Sequence, residues 1–131
     1  MIRSLDSEAR AAVAVHGIAS AAIFLADPTD ARGELRLAGA AGIDGPPLDG
    51  LVAAVAHPAH PIRRSVADPG PTFDVTPMNP GGPALRSHLP IRTAGGATLG
   101  VLAVAHDAPL PLEARAALET LVRSIAVEET R

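Results

Sequence analysis

Residues Leu99 to Ala105 read Leu-Gly-Val-Leu-Ala-Val-Ala and carry no polar side chain. A strand with one wet face alternates apolar and polar residues; this one is apolar on both faces and must be covered on both sides. It is preceded by Ala-Leu-Arg-Ser-His-Leu-Pro-Ile-Arg, Ala84 to Arg92, and a Thr-Ala-Gly-Gly turn, which together read as a hairpin. It is followed by a helix that begins near Pro111, whose apolar stripe is Ala114, Ala117, Leu118, Leu121, Val122 and Ile125. The chain therefore builds a central sheet between two layers, one of which contains the last helix.

The rest of the chain supplies partners for that sheet. Ser4 to His16 has helical spacing through Leu5, Ala9, Ala12 and Val13, with Gly17 as a stop. Ala21 to Ala26 reads as a short buried strand ending in Asp27-Pro28, and Glu34 to Ala40 as a strand with one wet face paired to it. Leu48, Leu51, Val52 and Val55 give a short helical stripe stopped by His57-Pro58. Pro58 to Pro90 holds eight of the 13 prolines. Within it Ile62 to Ala67 reads as a strand, with Arg63 and Arg64 on a solvated edge, and Asp68 to Pro83 as a loop with little regular structure. A loop of that length in a compact domain is functional or a stiffened surface crossing. Glu128 and Glu129 sit in the final turn, where the helix dipole disfavours them, and no Gly or Asn cap follows. The expectation is that this helix continues in a longer parent chain.

Composition narrows the chemistry. At 131 residues the chain reads as one domain, 1–131. It has no cysteine, which excludes disulfides, thiolate metal sites, thiol catalysis and thioether attachment of a chromophore; a cytoplasmic location is expected. All 11 basic residues are Arg and the net charge is −3, without the basic footprint of nucleic-acid binding. The lack of Lys beside abundant Ala, Pro and Gly matches the coding bias of GC-rich bacteria. No apolar run reaches the ~20 residues that span a membrane. The only aromatic side chains are Phe24 and Phe73. Ser65, Ser87 and Ser124 have no nucleophile elbow around them, and the paired glycines read as turns, so no enzymatic activity is expected.

Arg86-Ser87 opening a strand, Pro90-Ile91 closing it, and Gly100-Val101-Leu102-Ala103 after a short turn resemble the C-terminal half of a GAF domain, a small-molecule sensory module. The order of helices and strands resembles the family over nearly the whole chain, and Asp27, Asp68 and Phe73 sit where members often carry such residues. The chain departs from the pattern in a shorter strand at Arg86 to Ile91 and in abbreviated middle helices. The resemblance implies an α+β fold, GAF-like and PAS-related, in three layers. A central antiparallel sheet of five to six strands would carry the N- and C-terminal helices on one face and loops with a short helix on the other. It also implies a pocket between the sheet and the 68–83 loop that binds a small molecule. Covalent bilin is excluded by the missing Cys, and the Lys of a cyclic-nucleotide signature is missing too; haem or a metabolite stays open.

The candidate ligand-binding residues are Asp68, Phe73, Met78, Arg86 and His88. Arg86 and His88 alternate with Leu85, Leu89 and Ile91, so if Leu89 faces the helical layer, they face the pocket. Arg86 could hold a carboxylate or phosphate in a bidentate pair, and His88 could serve haem as an axial ligand. The plain alternatives are Arg86 paired with Asp68 or Asp74, and His88 bonded to backbone. Phe73 and Met78 are lid residues or loop anchors. His57 and His60, three apart around Pro58, are too few for a zinc site of about four ligands and read as solvated. Two functions follow: a sensory domain whose terminal helices pass a ligand signal to an output domain, kinase or cyclase, or a homodimerisation module joined through those helices.

Overall fold

The computed structural model describes residues 4–26, 34–67, 70–77 and 83–130. Its five strands are β1 (Ile18–Ala26), β2 (Leu35–Ala41), β3 (Thr72–Val75), β4 (Leu85–Arg92) and β5 (Thr98–His106). They form one antiparallel sheet in the order β2-β1-β5-β4-β3. The doubly apolar strand is the central one, as its composition requires. Leu102 and Val104 point to one layer and Val101 and Ala103 to the other. Gly100 lets β1 and β5 approach, since a Cβ there would overlap the Phe24 carbonyl oxygen.

Two helices cover the first face: α1 (Asp6–Val13) and α4 (Leu112–Glu129). They bury Leu5, Ala9 and Ala12 with Ala114, Leu118, Val122 and Ile125 against Ile23, Leu89 and Leu102. The amphipathic spacing of each helix sets which face it buries. Beyond α1 the chain turns through Gly17 at φ +94°, a conformation that glycine adopts at little cost. The opposite face carries α2 (Gly45–Val55) and the short α3 (Pro61–Arg64) with a 3-10 turn at Ser65–Ala67. Leu51, Val55 and Ile62 pack there on Ala22, Phe24 and Val101.

Two sequence expectations are corrected. Ile62 to Ala67 is helical, not a strand: Pro61 occupies the first turn, and Ile62 and Ser65, three apart, are the residues it buries. Arg63 and Arg64 accordingly lie on a helix, not a strand edge. The 68–83 segment contains β3, a four-residue edge strand pairing Thr72 with His88 and Val75 with Arg86. The register breaks between those pairs, at a bulge where Asp74 sits at φ +60°. No helix among the described residues is long and apolar enough to cross a membrane.

Candidate functional site

Strand alternation on β4 decides the site. Leu89 and Ile91 enter the core under the terminal helices, so Arg86 and His88 emerge on the other face. There they line a cavity of about 330 Å³ between β4, the end of β3 and the segment joining α2 to α3. His57, His60 and Thr76 add to its polar lining; Ala54, Ala59, Pro61 and Val75 supply apolar wall. No acidic residue lines it among the described residues.

The hydrogen bonds fix what each imidazole offers. His60 accepts the Ile62 N–H at Nδ1 (3.1 Å), capping α3, and His57 accepts the Ala59 N–H in the same way (3.1 Å). A ring that accepts at Nδ1 carries its proton on Nε2, so both present an N–H donor at that position. His88 is the reverse. The Ser65 hydroxyl donates to the Pro61 carbonyl at 2.8 Å, leaving its oxygen to accept from His88 Nδ1–H at 3.2 Å. His88 Nε2 is then a bare lone pair, buried, without a hydrogen-bond partner among the described residues. His88 is only 2% exposed. Burial first, then the Arg86 and His60 charges, bring its pKa down to about 4. Burial also lowers His60, with Arg86 and His57 adding to the effect. Arg86 is lowered by burial but keeps its charge at neutral pH.

Arg86 has no ion-pair partner among the described residues. Asp74 is committed elsewhere: its carboxylate takes Arg115 Nη2 at 2.7 Å and the Leu110 N–H at 3.0 Å, on the side of α4. A second buried chain runs from there. The Asp74 N–H donates to Ser87 Oγ (3.1 Å), Ser87 donates to His106 Nε2 (2.8 Å), and His106 Nδ1–H reaches the Ala108 carbonyl (2.8 Å).

Of the residues singled out in the sequence, Arg86 and His88 stand side by side on the cavity wall. Phe73 lies on the other face, packed against the core beneath the terminal helices, with the Arg115 guanidinium 4.7 Å from its ring centroid. It anchors β3 to the helical layer. Asp68 and Met78 lie outside the described residues. His57 and His60, which the sequence presents as solvated, line the cavity, and Ser65, which the sequence presents only as a serine without a nucleophile elbow, holds His88. The dipeptide His60-Pro61 was the available signal, a capping residue ahead of a proline in a first helical turn.

No family model matches the sequence, and no curated protein matches it. Solved structures do. The second GAF domain of DevS from Mycobacterium smegmatis superposes with a TM-score of 0.70 at 19% identity, over 95% of this chain and 88% of that one. The fold is that of a GAF domain. The GAF domain of a phosphoenolpyruvate-protein phosphotransferase from Acinetobacter gives a TM-score of 0.68 at 16% identity, covering 93% and 77% of the two chains. A domain of a two-component sensor histidine kinase protein from Sinorhizobium meliloti gives 0.70 at 20%, covering 95% and 87%. In this GAF fold the cavity and the terminal helices occupy opposite faces of one sheet. Strands β3 and β4 contribute residues to both.

Proposed function

We propose that this GAF-fold domain is a regulatory sensory module of signal transduction. It takes up a small molecule in the cavity beside Arg86 and His88, and its terminal helices pass the change to an output domain. The observation that carries this reading is a cavity wall shared by Arg86, which has no ion-pair partner among the described residues, and His88, whose buried Nε2 has no hydrogen-bond partner among them. Buried polar groups are rarely left unsatisfied, and one that borders a cavity invites a partner from outside the chain. The GAF folds that it resembles include a domain of a sensor histidine kinase protein, which favours a signalling role.

The test is native mass spectrometry of the purified protein with an absorption spectrum of the same sample. A mass excess or visible band that Arg86→Ala and His88→Ala both release supports the reading. If the protein is free of ligand, it is screened by thermal denaturation, since a ligand at 100 times its Kd stabilises by about 2.7 kcal/mol. A protein that no metabolite, nucleotide or haem stabilises is evidence against a sensory cavity.

A second reading, a homodimerisation module, draws on α4. Leu112 is 80% exposed and Val127 is 55% exposed, both large apolar side chains on an otherwise core-packed helix.

A further inference from the structure

The polar groups around the cavity are not a random set. They comprise one fixed cation, Arg86; two imidazoles whose Nδ1 atoms are occupied by backbone N–H groups, His57 and His60; one imidazole with a free lone pair, His88; and the Thr76 side chain, whose hydroxyl can serve as donor or acceptor. Negative charge is missing from the lining among the described residues. A half-buried guanidinium without a counter-charge among the described residues favours an anion, and its planar fork suits a carboxylate. The Nε2–H groups of His57 and His60 add donors for the same oxygens. None of these three groups can accept a hydrogen bond from a ligand at the positions left open. His88 Nε2 can do nothing else, because Ser65 holds its proton on Nδ1.

A metal ion satisfies this arrangement poorly. Freeing Nε2 of His57 or His60 as a ligand would move the ring proton to Nδ1, where the Ala59 and Ile62 N–H groups already point. No cluster of three metal-ligating side chains occurs among the described residues. An inorganic anion such as sulfate would pair with Arg86 but has no proton for His88.

Resting on the reading of this cavity as a ligand pocket, we infer that it takes a small organic acid that bears its own hydrogen-bond donor: the carboxylate is held by Arg86 with His57 and His60, and a hydroxyl or N–H donates to His88 Nε2. Arg86 and His88 stand two residues apart on one face of β4, about 7 Å along the strand, so the two functions belong on separate ends of the ligand. Ala54, Ala59, Pro61 and Val75 line the space with apolar surface, which fits a hydrocarbon body joining those ends. A cavity of about 330 Å³ is at the small end of ligand sites.

Two matched sets of probes test this by calorimetry: 4-hydroxybenzoate, benzoate and phenol, and 4-hydroxybutyrate, butyrate and 1-butanol. The hydroxy acid of at least one set should bind about tenfold more tightly than its parent acid, because the parent leaves His88 Nε2 unsatisfied. The alcohol should bind most weakly. Arg86→Gln should abolish binding of both acids, and His88→Leu should equalise hydroxy acid and acid while the acid still binds. If His88→Leu does not fold, the wild-type ring decides: the ¹⁵N resonance of His88 Nε2 should move on adding hydroxy acid and stay in place with the parent acid.

Equal binding of acid and hydroxy acid overturns the donor assignment and leaves an anion pocket. Alcohols that bind as well as acids overturn the anion assignment and leave an apolar pocket. Failure of every probe at millimolar concentration overturns the organic-acid assignment; the pocket reading itself falls only if the screen of metabolites, nucleotides and haem also finds nothing. A haem band in the purified protein that His88→Leu abolishes assigns Nε2 to iron and overturns the inference.

Discussion

A neutral histidine packed beside a cation makes the fold sensitive to acid in a direction that the structure defines. His88 falls from 6.5 to about 4 because burial, then Arg86 and His60, disfavour its charged form. Between those values the unfolded chain binds the proton and the folded chain does not, so stability falls as pH falls. The contribution is fully present above pH 6.5 and is lost on the way down to about pH 4. Its size is about 3 kcal/mol at the low end. His60 acts in the same direction from a more exposed position. Urea unfolding at stepped pH should show wild type losing about 3 kcal/mol more than His88→Gln over that range. Parallel curves would mean that His88 is not held neutral by burial. The outward direction of Arg86 and His88 was legible in the sequence, because Leu89 and Ile91 alternate with them and had only one place to go. The role of His57 and His60 was not. Pro58 and Pro61 rule out a shared helical face, yet those prolines also shape the turns in which each ring caps an N–H two residues on.

Among the elements, β3 is the joint between the cavity and the helical layer. Thr72 and Val75 pair with His88 and Arg86, while Phe73 and Asp74 reach across to α4. The bulge at Asp74 makes this possible by turning the carboxylate toward Leu110 and Arg115. Arg115 also bonds the Leu110 carbonyl at 3.0 Å and covers Phe73, so one side chain ties strand, loop and helix together. Arg115→Ala should cost about 1 kcal/mol, since the pair is partly solvated. It should also speed amide exchange at Leu110 and in the first turn of α4. Asp74→Asn, which keeps a residue tolerant of positive φ, should be milder than Asp74→Ala. Unchanged exchange in both variants would show that β3 and α4 are not coupled through this contact. None of this could be read from sequence, because the partners are 41 residues apart. β3 itself escaped notice: four residues between prolines, broken by a bulge, show no period. α3 looks like a strand in sequence because Ile62 and Val66 favour strands, while the burial of Ile62 and Ser65 follows a helical spacing. The central strand and α4 were legible because long, uniform patterns admit one arrangement.

For the molecule as a whole, the surface of α4 is where a change at the cavity would have to appear if it is to be passed on. The helix packs Ala114, Leu118, Val122 and Ile125 on the sheet, so the large apolar side chains on its outer surface, Leu112 and Val127, are open to a second copy or an output domain. They lie about 60° apart around the axis at 3.6 residues per turn, close enough to share one contact surface. Ile125, on the stripe that faces the sheet, is 1% exposed in the core. Ile125→Asp would bury an unpaired charge and unfold the domain whatever its oligomeric state. Val127→Asp separates the two effects, since a surface change there should move stability by no more than about 0.5 kcal/mol. If α4 joins two copies, sedimentation of wild type should show a dimer, and Val127→Asp a monomer with an unchanged circular dichroism spectrum. A wild-type monomer at high concentration would leave α4 free for an output domain. The same measurement with and without the hydroxy acid then asks whether the cavity and this surface are linked. A ligand can shift the association only by the difference in its affinity for the two states. A dimer constant that moves with ligand, and stops moving in Arg115→Ala, would trace the coupling through β3. A constant that ignores ligand would make binding and association independent properties of the fold.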